Sequence, residues 1–175
     1  MSDSSVGQLR QAERTVLLVG TRHDYQRPGN PGSEAFRVFV AATCRERDIQ
    51  VIAEEMSLDG LFGAKQSVCN QAADSLRLTH HCGDPSLEEQ KTLGIAHPGK
   101  TNPSAFSAVP DPHEVDPEGE VAHEIRRHCW LQRIVALDSW PVLFVCGAHH
   151  VEPFRELLRA HSIVVHVLCP RWTPN

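Results

Sequence analysis

Short apolar runs alternate with stretches of helical periodicity along this chain. Val16-Leu17-Leu18-Val19 is a tight run with β-branched ends, closed by Gly20, which is the pattern of a strand buried on both faces. A turn-rich stretch follows from Asp24 to Gly32. Ser33 is placed to cap a helix that continues to about Arg47, with Phe36, Phe39, Val40 and Thr43 on one face. Ile49 to Met56 reads as a second strand, Val142 to Cys146 as a third, again closed by glycine, and Ile163 to Leu168 as a fourth, stopped by Pro170. A helix from Val121 to about Leu137 carries Ala122, Ile125, Cys129, Trp130, Ile134 and Leu137 near helical spacing. Glu152-Pro153 opens another, to about His161, because proline suits a first helical turn.

The middle of the chain is less regular. Residues 59–78 are apolar at uneven helical spacing, and 86–93 fit a short helix. Residues 98–119 hold Pro98, Pro103, Pro110, Pro112 and Pro117, the composition of a long loop or lid. Residues 1–14 form a polar, flexible lead-in to a single domain over 15–175. The order strand–helix–strand, middle, helix–strand–helix–strand predicts an α/β fold: three layers, with a mostly parallel sheet of about four strands flanked by helices.

Strand C-termini share one edge of a parallel sheet, and ligands bind there. Two of the predicted strands end in the same pattern, Gly20-Thr21-Arg22-His23 and Gly147-Ala148-His149-His150, both GxxH. Glycine allows a sharp turn and a close approach, and the histidine then stands on the rim. Neutral imidazoles from neighbouring strand ends suit one divalent ion. His149 is the alternative to His150 as the inward ring. A third GxxH, Gly94 to His97, follows no strand-like run and is set aside. The second strand ends in Glu54-Glu55. Successive side chains alternate between faces, so one of the two faces the histidines, Glu55 first and Glu54 second, as metal ligand or general base. Arg126 shares a helix face with Trp130 and Ile134 and points inward near the site, a permanent charge suited to an anionic transition state. His80-His81-Cys82 reads as loop, and His97, His113, His123, His128, His161 and His166 receive no role.

Composition narrows the function. With 17 basic and 22 acidic residues the net charge is −5, and no basic run is present, so nucleic acid is not expected as a partner. No apolar stretch approaches the ~20 residues of a membrane span, and the polar N-terminus does not resemble a secretory leader. Six cysteines include no CxxC pair, which predicts free thiols in a reducing cytoplasm. GxSxG is absent from the sequence, which disfavours a conventional serine hydrolase.

Together, GTRH, then AEE, then IRRHCW on a helix, then CGAHH resemble the TraB/TIKI, ChaN and erythromycin-esterase-like superfamily, in particular its short stand-alone bacterial members. The resemblance covers about residues 15–60 and 121–168. It implicates His23, Glu55 with Glu54, Arg126 and His150, and departs from the pattern at Arg127, where those members often carry an acid. It implies a metal-dependent hydrolase of peptide or ester-type bonds acting on a small molecule or peptide. His23, His150 and Glu55 would hold a divalent ion, zinc or manganese. ChaN-like members imply the alternative, a non-catalytic metal or haem-binding protein; a metal-free esterase with a histidine base is a further one.

Overall fold

The structure, a computed structural model, describes residues 13–57, 65–95 and 117–174, with the side chains of 117 and 118 excepted. The expected lead-in lies outside the described residues up to residue 12, as does the proline-rich segment up to residue 116. The elements are β1 (Thr15–Thr21), α1 (His23–Gln26), α2 (Ser33–Glu46), β2 (Val51–Glu54), α3 (Val68–Leu76), β3 (Thr79–Cys82), α4 (Leu87–Thr92), α5 (Pro117–Leu137), β4 (Val142–Gly147), a 3-10 turn (Ala148–His150), α6 (Val151–Ala160) and β5 (Val164–Cys169).

The five strands form one all-parallel sheet in the order β3-β2-β4-β1-β5. The α/β expectation holds, with five strands where about four were expected. The additional strand is β3, Thr79-His80-His81-Cys82, which the sequence suggests is loop. It is a short edge strand bonded only to β2 and only partly buried, so it lacks the apolar run that marks a central strand. β1 and β4, buried along nearly their whole length, are the strands legible from hydrophobicity.

Alternation along the strands sorts the core into two layers. Val16, Leu18, Val51, Ala53, Val142 and Phe144 pack under Trp130, Ile134, Phe154 and Leu158 of α5 and α6. Leu17, Val19, Ile52, Leu143 and Val145 pack under Phe36 and Val40 of α2 and Cys69 and Ala72 of α3. Helices thus cover both faces, and the apolar area they remove from water is the main stabilising term. No helix among the described residues is long and apolar enough to cross a membrane.

Local boundaries shift for identifiable reasons. Gly32, at φ 85°, is the N-cap of α2, and the Ser33 hydroxyl donates instead to the Arg27 carbonyl at 2.6 Å, tying down the preceding turn. α5 starts at Pro117 rather than Val121, with proline in the first turn. In the middle region, the described residues of 59–78, which begin at 65, form the helix α3, capped by Ser67, whose Oγ accepts from the Asn70 amide at 2.9 Å.

The order of strands creates a switch point between neighbouring β1 and β4. From β1 the chain moves through α2 to β2 on one side, and from β4 it moves through α6 to β5 on the other. The two connections leave from adjacent strand ends in opposite directions and open a crevice between them, the usual ligand position in such sheets.

Candidate active site

The two GxxH motifs flank this crevice. At the end of β1, Gly20 sits against the segment that follows β5: the Trp172 amide donates to the Gly20 carbonyl at 2.7 Å. A Cβ on Gly20 would lie 2.1 Å from the Pro170 carbonyl oxygen, so no other residue fits without backbone movement. At the end of β4, a Cβ on Gly147 would meet His149 Cε1 and His23 Nε2 at 3.1 Å and Glu55 Oε2 at 3.3 Å. The missing side chain is what lets these three groups crowd around one point.

Glu55 is the centre of the site. It follows β2 directly, and its amide still pairs with the Val145 carbonyl at 2.7 Å, so it keeps the strand alternation that aims it to the same side as Ala53. Its side chain is 1% exposed. Oε2 accepts the Gly147 amide at 2.7 Å, and Oε1 accepts Arg126 Nη2 at 2.7 Å. His150 Nε2 approaches Oε1 at 3.2 Å without hydrogen-bond alignment, and His23 Nε2 lies 3.9 Å away. Burial pushes the carboxyl pKa up, but the close approach and charge of His150, then the charges of Arg126 and His23, outweigh it. The result is a pKa held down to about 2. Glu55 is therefore an ionised carboxylate at neutral pH in a nearly dry position.

Arg126 is fixed by two acids. Besides Glu55, it forks onto Asp84, with Nε to Oδ1 and Nη2 to Oδ2 both at 2.8 Å. Trp130 Nε1 also donates to Asp84 Oδ1, at 3.0 Å. Burial disfavours the guanidinium charge, but the bonds and charge of Asp84, then Glu55, raise its pKa further. Arg126 Nη1 carries no hydrogen bond among the described residues. Arg127 is buried and pairs with Glu120 at 2.6 Å, so the helix supplies its own counter-charge.

Three further rings, two of them imidazoles, surround His150, which is 1% exposed. His149 lies at 3.8 Å and His123 at 4.7 Å between ring centroids, and Trp130 meets the ring edge-on at 5.2 Å. Ligand nitrogens of His123, His149 and His150 all fall within 4.8 Å of one another, an arrangement that could hold a metal ion. His150 Nδ1 and Nε2 and His123 Nδ1 are buried without a hydrogen-bond partner among the described residues. Burial, then the neighbouring His150, holds the His149 pKa down to about 4 and lowers that of His123, so both rings are neutral at pH 7 with a lone pair to offer.

The expected set thus divides. His23, Glu55, Arg126 and His150 come together; Glu54 does not. One residue earlier on the strand, Glu54 points to the α2–α3 side, fully buried, where Oε1 takes His80 Nε2 at 2.7 Å and the Ser67 hydroxyl. Asp84 and His123 are the residues the sequence reading missed. Asp84 lies just beyond the C-terminal end of β3, at the same sheet edge as the other site residues, and an edge strand without an apolar run gives no signal for it. His123 lies three residues before Arg126, on the same helix face. His97 and His113 lie outside the described residues. An open groove of about 440 Å³ between α4 and α5, lined by residues such as Glu89, Leu93, Cys129 and Arg133, includes none of the site histidines.

No family model matches the chain, and neither does any curated protein or solved structure.

Proposed function

We propose that this chain is a hydrolase of ester or peptide-type bonds, assisted by a divalent ion held on imidazoles around His150. The observation that carries the reading is the convergence of His23, His150, Arg126 and the Gly147 amide on the ionised carboxylate of Glu55, at the switch point of a parallel sheet. The likeness of the two GxxH motifs to the TraB/TIKI and erythromycin-esterase-like hydrolases points the same way.

The roles follow from exposure and charge. His23, whose side chain is 41% exposed, is the group water and substrate can reach. With Glu55 beside it, an imidazole taking a proton from water gains a compensating negative charge, which favours general-base action. Glu55 itself, bonded by Arg126 and Gly147, orients and compensates rather than attacks. Arg126 is held rigidly by its two acids, and Nη1 is its remaining donor for charge developing on a carbonyl oxygen. A zinc ion, when bound, would supply Lewis acidity and a water acidified toward ~7.

The grouping of three imidazoles also favours a second reading, a metal or haem-binding protein without chemistry. Turnover of p-nitrophenyl esters and a mixed peptide set, measured on metal-stripped and zinc- or manganese-reloaded protein, separates the two. The hydrolase reading expects metal-stimulated turnover that His23→Ala and Glu55→Gln each reduce by about 100-fold or more. Stoichiometric metal or haem with no turnover on any substrate supports the second reading.

A further inference from the structure

We infer that His123, His149 and His150 form a three-nitrogen site for a borderline divalent cation, zinc above all, from which Glu55 and His23 are excluded as ligands. This completes the ligand set around His150 on which the hydrolase reading rests, yet it stands or falls on metal binding alone.

Three observations carry it. The first is proximity: nitrogens bound at about 2 Å around one tetrahedral ion are ~3.3 Å apart, so rings already within 4.8 Å close on an ion by small side-chain rotations. Two of the three histidines are adjacent in sequence, a combination that a straight strand would splay apart. Here the 3-10 turn Ala148–His150 brings their centroids to 3.8 Å with the rings inclined at 45°. The second is the orphaned nitrogens. An imidazole buried to 1% exposure with no aligned hydrogen bond is costly, most of all at Nδ1, since Nε2 at least lies 3.2 Å from Glu55 Oε1, and a metal bond to Nδ1 relieves that cost. His123 Nδ1 is in the same condition.

The third observation excludes Glu55. Both of its oxygens are engaged, Oε2 by the Gly147 amide and Oε1 by Arg126 at 2.7 Å. A cation on Oε1 would sit beside a guanidinium fixed in place by Asp84, and like charges at such separations in a buried site repel strongly. His23 is turned to that same carboxylate. With nitrogen donors only, the site suits zinc, cobalt or nickel rather than magnesium, calcium or manganese, which prefer oxygen. Three protein ligands leave a fourth position open, the arrangement of catalytic rather than structural zinc. The exposed His149 places that site toward solvent.

The test is metal stoichiometry and affinity on untagged, chelator-stripped protein, using Zn²⁺ and Co²⁺, with the visible Co²⁺ bands reporting coordination. Wild type, His23→Ala and Glu55→Gln should each bind one ion per chain with similar Co²⁺ spectra, and Glu55→Gln, which alters a neighbour of His150 at 3.2 Å, should weaken binding by no more than about 100-fold. His123→Ala and His149→Ala should each weaken binding by more than about 100-fold, beyond what loss of an outer-sphere partner costs. Circular dichroism and melting temperature check that each variant is folded; His149 is exposed, so His149→Ala keeps the test available should His150→Ala unfold the chain. Wild-type affinity in both His123→Ala and His149→Ala overturns the assignment. So does loss of the ion in His23→Ala or Glu55→Gln, or no binding by the wild type. Absence of turnover with the expected metal pattern would defeat the hydrolase reading and leave this site standing.

Discussion

Arg126 Nη2 stands 2.7 Å from Glu55 Oε1, and the same guanidinium grips Asp84 through two bonds of 2.8 Å. One cation from α5 therefore ties the end of β2 to Asp84, two residues beyond β3, across a site where Glu55 is nearly without water. Removing it leaves Glu55 without its closest counter-charge. Loss of one partner of a buried pair costs about 3–5 kcal/mol, and the one-fifth exposure of Arg126 places the expected cost for Arg126→Ala at the lower end, about 3 kcal/mol. Arg126→Lys should recover part of it but not the fork onto Asp84. Urea denaturation of the two variants measures this; a loss under 1 kcal/mol for alanine would mean the three groups do not act as a unit.

The depressed pKa of Glu55 gives a pH dependence of known sign. A carboxyl held at about 2 in the fold and near 4.5 when free binds fewer protons folded than unfolded over that interval. Its contribution is complete above pH 4.5 and is lost as pH falls toward 2. Glu55→Gln removes this proton uptake, so the gap in stability between wild type and variant should narrow steadily from pH 5 to pH 2. Chemical denaturation at four or five pH values reads it directly, and a constant gap would refute it.

The two motif glycines should fail differently. Gly20→Ala drives a Cβ to within 2.1 Å of a backbone oxygen, which cannot yield as a side chain does. The expected cost is about 3 kcal/mol or more, with poor expression. Gly147→Ala meets side-chain atoms at 3.1 and 3.3 Å, so the fold persists while His23 and His149 are displaced. Its melting temperature should stay close to wild type as its Co²⁺ spectrum and any turnover change.

Glu54 supplies the control. Its partners are His80 and Ser67, on the other side of the sheet from the histidine cluster. Glu54→Gln should lower the melting temperature while leaving zinc affinity unchanged, measured on the same protein by calorimetry. A change in zinc affinity comparable to that of His149→Ala would show that the sheet does not insulate one side from the other.

What could be read from the residues, and what could not, follows from which forces shape each segment. β1 and β4 are buried on both faces, so hydrophobicity alone marks them, and a glycine at each end marks the turn to the site; His23 and His150 followed from that. Alternation said that only one of Glu54 and Glu55 faces the site, and ranked Glu55 first only by its place at the strand end; which one does is set by the register of β2 against β4, which the sequence does not carry. β3 escaped because an edge strand is stabilised by backbone pairing, which leaves no side-chain signature, and Asp84 escaped with it. His123 escaped because its environment is made by a turn 25 residues further along the chain, Ala148–His150, whose backbone shape is not encoded in any periodicity.

The divergence of Glu54 and Glu55 makes the strand pleat itself part of the chemistry. Two neighbouring codons specify the same side chain, yet one serves the scaffold and the other the crevice, and only the parity of their position along β2 decides which is which. A one-residue insertion or deletion within Val51–Glu54 would exchange their surroundings, sending a carboxylate meant for His80 and Ser67 toward Arg126. The composition of the strand end would be almost unchanged. Point substitutions at these two sites can vary independently, whereas length changes in this strand strike both at once, so the segment should tolerate replacement far better than it tolerates indels.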